Sequence, residues 1–125
     1  MTYWTAVVAG LGAGAWLLGV AGSGVMAQGT GDPKAGRAVY DSAKCASCHG
    51  DAGKGDGPQA QKLKDKPTDW TAGGGGLKGL DDQKIFDSIA KGGPAVGKSK
   101  AMPAARKLSD AEIWDLVAYV KSFVK

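Results

Sequence analysis

The chain has 125 residues, enough for one ordinary domain and too few for two. Its 16 basic and 12 acidic side chains all lie at or beyond Asp32, so residues 1–31 are uncharged and the net charge of +4 belongs to the remainder. Lysine far outnumbers arginine there without forming a dense basic run, which excludes nucleic acid as the expected partner and leaves a solvated surface or weak encounters with acidic partners.

The first element is a leader. From Val7 to Val20 the chain is a Gly, Ala, Leu and Val run around Trp16, and Val25 and Ala27 mark an export cleavage site after Ala27. Residues 1–27 then form a signal peptide, with residues 28–125 as the functional domain. The start of the chain lacks the Lys or Arg that usually opens such a signal. The competing reading is a retained membrane anchor, because the uncharged stretch exceeds the ~20 residues that a helix needs to span a bilayer. Its many glycines weaken that helix. Both readings export the domain to the periplasm or to the outer face of the cytoplasmic membrane.

A first helix begins with Asp32 as N-cap and Pro33 in the first turn, and runs through Tyr40 into the motif that follows. Gly36 is a poor helix former, and its expected use is to let another helix cross closely.

The motif is Cys45-Ala46-Ser47-Cys48-His49, a C-x-x-C-H run that holds both cysteines and the one histidine of the chain. Two thiols three positions apart on a helical turn can each add to a vinyl group of haem, and the adjacent imidazole can then bind the iron. Three other chemistries compete. Structural zinc usually takes four Cys or His ligands, and the chain offers three. A thioredoxin-like pair belongs in a βαβ pattern, and no strand pattern precedes Cys45. A disulfide between Cys45 and Cys48 would close a strained short loop and leave His49 without a role.

Beyond the motif, a short helical turn is expected from Gln59 to Lys64, broken by Pro67. Gly73 to Gly76 predict either a mobile loop or an unusually tight turn. A further helix starts at a cap at Asp81 or Asp82, places Ile85, Phe86 and Ile89 on one side, and stops at Gly92-Gly93-Pro94. Met102 follows, before Pro103, whose fixed φ favours an extended approach for the methionine. A lone Met ordinarily fills a gap in a core. With His49 committed and Met1 and Met26 in the leader, however, Met102 is the remaining soft candidate for the sixth position of a haem iron.

The last helix opens on a capping box of Ser109 and Glu112, with Ile113, Leu116, Val117, Val120, Phe123 and Val124 on one apolar face. No stretch alternates as a strand does, so the fold class is all-α, with three main helices and short turns. A lone core over residues 28–125 is marginal, and a covalently held apolar macrocycle would complete it.

The ordered set resembles class I cytochromes c, particularly the small bacterial monohaem type. It comprises Gly36 and Tyr40, the Cys45 to His49 run, Gly55-Asp56-Gly57-Pro58, Met102-Pro103, and Leu108 to Ile113 leading to Val117-Ala118-Tyr119-Val120. The resemblance implies one haem c attached through Cys45 and Cys48, with axial His49 and Met102, and a Pro58 carbonyl that accepts a hydrogen bond from His49 Nδ1–H. Pro58 read alone is a turn residue after Gly57. By looser analogy the Trp70 indole N–H reaches a haem propionate, against a plain role in core packing. Two features depart from the family, the Gly73 to Gly76 run and the uncharged amino-terminal end.

The expected function is that of an exported one-electron carrier cycling between Fe(II) and Fe(III), not itself an enzyme, serving redox partners with acidic docking surfaces. The rivals are a haem subunit of a larger oxidoreductase and, if Met102 leaves the iron open, a ligand-binding sensor or weak peroxidase.

Overall fold

The computed structural model describes residues 30–125. The expected signal or anchor over residues 1–27 lies outside them. The described residues form helices α1 (Pro33–Ser42), α2 (Ala46–His49), α3 (Asp82–Lys91) and α4 (Asp110–Lys121), with short 3-10 turns at Ala60–Lys62, Gly75–Leu77 and Gly93–Val96 and no strand among them.

Each long helix starts where a side chain can take up an open backbone N–H. The Asp32 carboxylate accepts from the Lys34 N–H, and Pro33, which has no N–H to satisfy, fills the first turn. Asp81 accepts from Lys84 at 2.8 Å. Ser109 accepts from the Glu112 N–H while Glu112 accepts from the Ser109 N–H, completing the box.

Helices α1 and α4 touch backbone to backbone. A Cβ on Gly36 would lie 2.0 Å from the Asp115 carbonyl oxygen and 2.8 Å from Tyr119 Cβ, so no larger residue fits the crossing. The Asp115 side chain, 9% exposed, accepts the Asp32 N–H at 2.8 Å, placing a carboxylate at the positive end of α1.

The buried arc of α4 is wider than one face. Ile113, Leu116, Val117 and Val120 are buried as expected, but so are Trp114 and Asp115, while the helix ends at Lys121 and leaves Phe123 half-buried and Val124 41% exposed beyond it. The cause is that α4 has α1 on one side and α3 on the other, with Trp114 set 4.5 Å from the Phe86 ring of α3. Tyr40, Trp70, Ile85 and Ile89 complete the buried cluster.

One local expectation changes and one pair of alternatives is decided. The first helix does not run into the C-x-x-C-H motif: α1 stops at Ser42, and Lys44 takes a left-handed φ of 58° that turns the chain before α2 begins. The Gly73 to Gly76 run is a tight turn, in which a Cβ on Gly75 would lie 2.3 Å from the Asp69 carbonyl and Gly76 N–H donates to Thr68 Oγ1 at 2.7 Å.

The α1–α4 contact makes Gly36→Ala a severe change. It is expected to lower stability by about 3 kcal/mol, the upper range for overpacking. Gly73→Ala, with nothing within 4 Å of the new Cβ, should cost only about 1 kcal/mol for its left-handed backbone. Denaturant titration of both variants checks the ordering, and equal losses would show that the helices can separate at the crossing.

Candidate haem site

Helix α2 is a single turn, and a single turn leaves most of its carbonyls open. The chain returns over it to close them. Gln59 N–H donates to Ser47 O at 2.8 Å, Gly57 N–H to Cys48 O at 3.1 Å and Gly55 N–H to His49 O at 2.8 Å. Gly57 must be glycine for this approach, since a Cβ there would lie 2.4 Å from the Ala46 and Ser47 oxygens. From the other side, the buried Tyr40 hydroxyl of α1 donates to Gly50 O at 2.6 Å. The motif is thus held between α1 and the 50–59 loop.

Cys45 N–H donates to Tyr40 O, and His49 N–H to Cys45 O, so Cys45 and Cys48 stand one helical turn apart with both thiols free. Burial, with a smaller contribution from the charge on Asp41, pushes the Cys45 thiol up. Among the described residues no group of three or more His, Cys, Asp or Glu side chains is gathered in a way that could hold a metal ion.

His49 Nδ1 is fully buried and has no hydrogen-bond partner, the single such side-chain atom among the described residues. Burial lowers the imidazole pKa from 6.5 to about 4, so at neutral pH the ring is uncharged and keeps a lone pair for a metal. The ring lies against Trp70, with centroids 4.4 Å apart and planes 22° from parallel.

The expected bond from His49 Nδ1 to the Pro58 carbonyl is absent. The amides of Gly57 and Gln59 on either side bond back to α2, and Pro58 is left exposed on the rim of a surface hollow of about 490 Å³. Trp70 is 7% exposed in the core, beside the histidine. Met102 is half-buried at the edge of the same core that Cys45 borders. Its segment is tethered to the end of α3, with Gly93 N–H donating to Met102 O at 3.0 Å and Ala105 N–H to Ile89 O at 2.8 Å.

Sequence reasoning missed the Tyr40 hydroxyl and the His49–Trp70 stack. Tyr40 lies five residues before Cys45, and a phenol at that spacing from a loop of glycines was the available signal. Nothing in the sequence joins Trp70 to His49.

Two thiols on one turn, a neutral imidazole lacking any partner and a tethered methionine fit the donor set of a covalently attached haem better than zinc or a redox disulfide. An all-α domain that holds C-x-x-C-H on a clamped turn defines a c-type haem protein. The chain belongs to the cytochrome c family, whose profile matches residues 33–123. It carries one covalently bound haem c and serves haem-based electron transfer. No curated protein gives a significant match. A chain of the Kuenenia stuttgartiensis reducing HAO-like protein complex Kustc0457/Kustc0458 is similar in structure, at 34% identity and a TM-score of 0.61. The match covers 74% of this chain and 44% of that one, so this chain spans less than half of its length. Among the described residues no helix is long and apolar enough to cross a membrane.

The Tyr40 hydroxyl gives a testable consequence. Tyr40→Phe leaves the Gly50 carbonyl only its longer bond from the Gly53 N–H at 3.3 Å and is expected to cost about 1 kcal/mol. Burial, aided by the nearby negative charges of Asp51 and Asp41, holds the phenol well above its ordinary pKa of 10.0. An acid with a raised folded pKa contributes stability that is complete below the unfolded pKa and falls as pH rises beyond it. The wild type should therefore lose stability above about pH 10 more steeply than Tyr40→Phe. Parallel slopes in denaturant titrations would remove Tyr40 as the cause.

Proposed function

We propose that this chain is an exported one-electron carrier whose haem is held by Cys45 and Cys48, with His49 and Met102 as the axial ligands. The observation that carries the reading is the clamped α2 turn with its neutral, unpartnered imidazole. When bound, the haem supplies the Fe(II)/Fe(III) couple. The Cys45 and Cys48 thiols would hold the macrocycle as thioethers. His49 would hold the iron through a ring nitrogen and Met102 through its thioether sulfur. A histidine and methionine pair raises the potential and leaves no open position for oxygen or peroxide, which favours electron transfer over bond-making.

Export follows from the uncharged leader, with the domain over residues 28–125 in the periplasm or held at the outer face of the membrane through residues 1–27. Lysines spread over the domain favour partners with acidic docking faces. The second reading, a haem subunit of a larger oxidoreductase, is favoured by the similarity to one chain of a two-component complex. Any catalysis would then belong to the partner.

The isolated protein tests ligation and processing together. Its mass should exceed that of residues 28–125 by one haem, and Met102→Ala should abolish the methionine-to-iron charge-transfer band of the oxidised spectrum. A band that survives the substitution removes Met102 from the iron, and a mass that retains residues 1–27 supports the anchor.

Ionic strength separates the carrier from the subunit. A free carrier steered by lysines exchanges electrons more slowly once added salt brings the Debye length below ~10 Å. Co-elution with a catalytic protein at high salt would instead establish the subunit reading, and a rate indifferent to salt would discard electrostatic steering.

A further inference from the structure

An imidazole normally has its plane set by a hydrogen bond at the nitrogen that faces away from its metal. His49 has none, because its buried Nδ1 meets neither donor nor acceptor. What meets the ring instead is the flat face of Trp70, 4.4 Å away and within 22° of parallel.

The indole is itself fixed on several sides. Phe123 stacks behind it at 6.0 Å and 29°, and that phenyl ring lies 4.9 Å from Tyr119 and 6.0 Å from Tyr40. The Trp70 backbone N–H donates to Gly53 O at 2.9 Å, which fixes the main chain from which the indole projects against the loop that closes over α2. Gly53 lies so close that a Cβ on it would come within 3.0 Å of the indole and 2.8 Å of Phe123. A ring held in this way can impose its plane on its neighbour.

We infer that Trp70 is the positioning residue of His49: stacking on the indole face, in place of a hydrogen bond at Nδ1, fixes the plane of the imidazole and stabilises positive charge on it. The inference rests on the proposed axial role of His49. Two consequences follow from it. The plane of an axial imidazole governs the magnetic anisotropy of ferric haem, so loosening the ring changes the low-spin resonance spectrum. An imidazole bound to Fe(III) carries more positive charge than one bound to Fe(II), and the electron-rich face of Trp70 attracts that charge. Trp70 therefore favours the oxidised protein.

The test uses the haem-loaded full chain with Trp70→Leu and Trp70→Phe, and the same two changes at Trp114. Trp114 is an apt control because it too is 7% exposed, while its ring partner is Phe86 instead of the histidine. Trp70→Leu is expected to lower the Fe(III)/Fe(II) ratio at a fixed solution potential about three- to tenfold, a tenfold change being about 59 mV for one electron. It should also alter the ferric resonance anisotropy. Trp70→Phe, which keeps a smaller aromatic face, should shift both readouts in the same direction by less. The Trp114 variants should lose stability and leave both readouts unmoved.

Should Trp70→Leu fail to fold, the two phenylalanine variants decide between stacking and packing. Unmoved readouts at Trp70, or equal shifts at Trp70 and Trp114, reduce Trp70 to core packing and leave the ligation standing. A wild-type ferric spectrum without histidine ligation overturns the ligation and the inference together.

Discussion

A helix of one turn cannot satisfy its own backbone, and this constraint organises the protein around α2. Nucleating a turn fixes several dihedrals for few hydrogen bonds, so a four-residue helix forms only where other parts of the chain complete it. Here the completion comes from Gly55, Gly57 and Gln59, whose amides take the carbonyls of His49, Cys48 and Ser47. The loop in turn depends on Tyr40, which holds Gly50 O, and Tyr40 is placed by α1. Helix α1 is seated on α4 through Gly36 and the Asp32–Asp115 bond. The two cysteines and the histidine are thus rigid because of contacts distributed from one end of the domain to the other.

The same chain of contacts explains why so small a core suffices. The buried cluster is edged by half-buried apolar residues, among them Leu77, Leu80, Phe86, Met102 and Leu108, which gain full burial only against a further apolar body. A domain of this size buries a smaller share of its surface than a larger one. A macrocycle attached covalently adds apolar area without the cost of bringing a free ligand from solution. The haem is in that sense part of the fold as well as the redox centre.

What the sequence made legible was local, and what it concealed depended on neighbours. The caps at Asp32, Asp81 and Ser109 act within three residues of themselves, so their chemistry could be read directly. Gly36 was legible as a crossing because glycine inside a helix otherwise costs stability without return. The break at Lys44 was not, since lysine carries no signal for a left-handed backbone and the turn is imposed by the bonds on either side of it. The burial of Trp114 and Asp115 was equally hidden: one apolar stripe implies one neighbour, whereas α4 has two. Pro58 and Trp70 exchanged importance for a related reason. Their distance from His49 in three dimensions is set by the 50–59 loop and by Phe123 just past the end of α4, neither of which has a sequence pattern that points at the histidine.

That exchange bears on how such a site would work. An electron carrier gains by presenting nearly the same geometry in both oxidation states, because any ligand movement must be completed before the electron can transfer. A hydrogen bond at Nδ1 holds an imidazole through one directional contact, which strengthens as charge builds on the ring. A stack holds it over a whole face, and the indole behind His49 is backed by Phe123 and Gly53, so the ring has little room to turn. On the proposed ligation, rigidity at this iron comes from packing, and the aromatic cluster linking Tyr40, Trp70, Tyr119 and Phe123 belongs as much to the redox site as to the core.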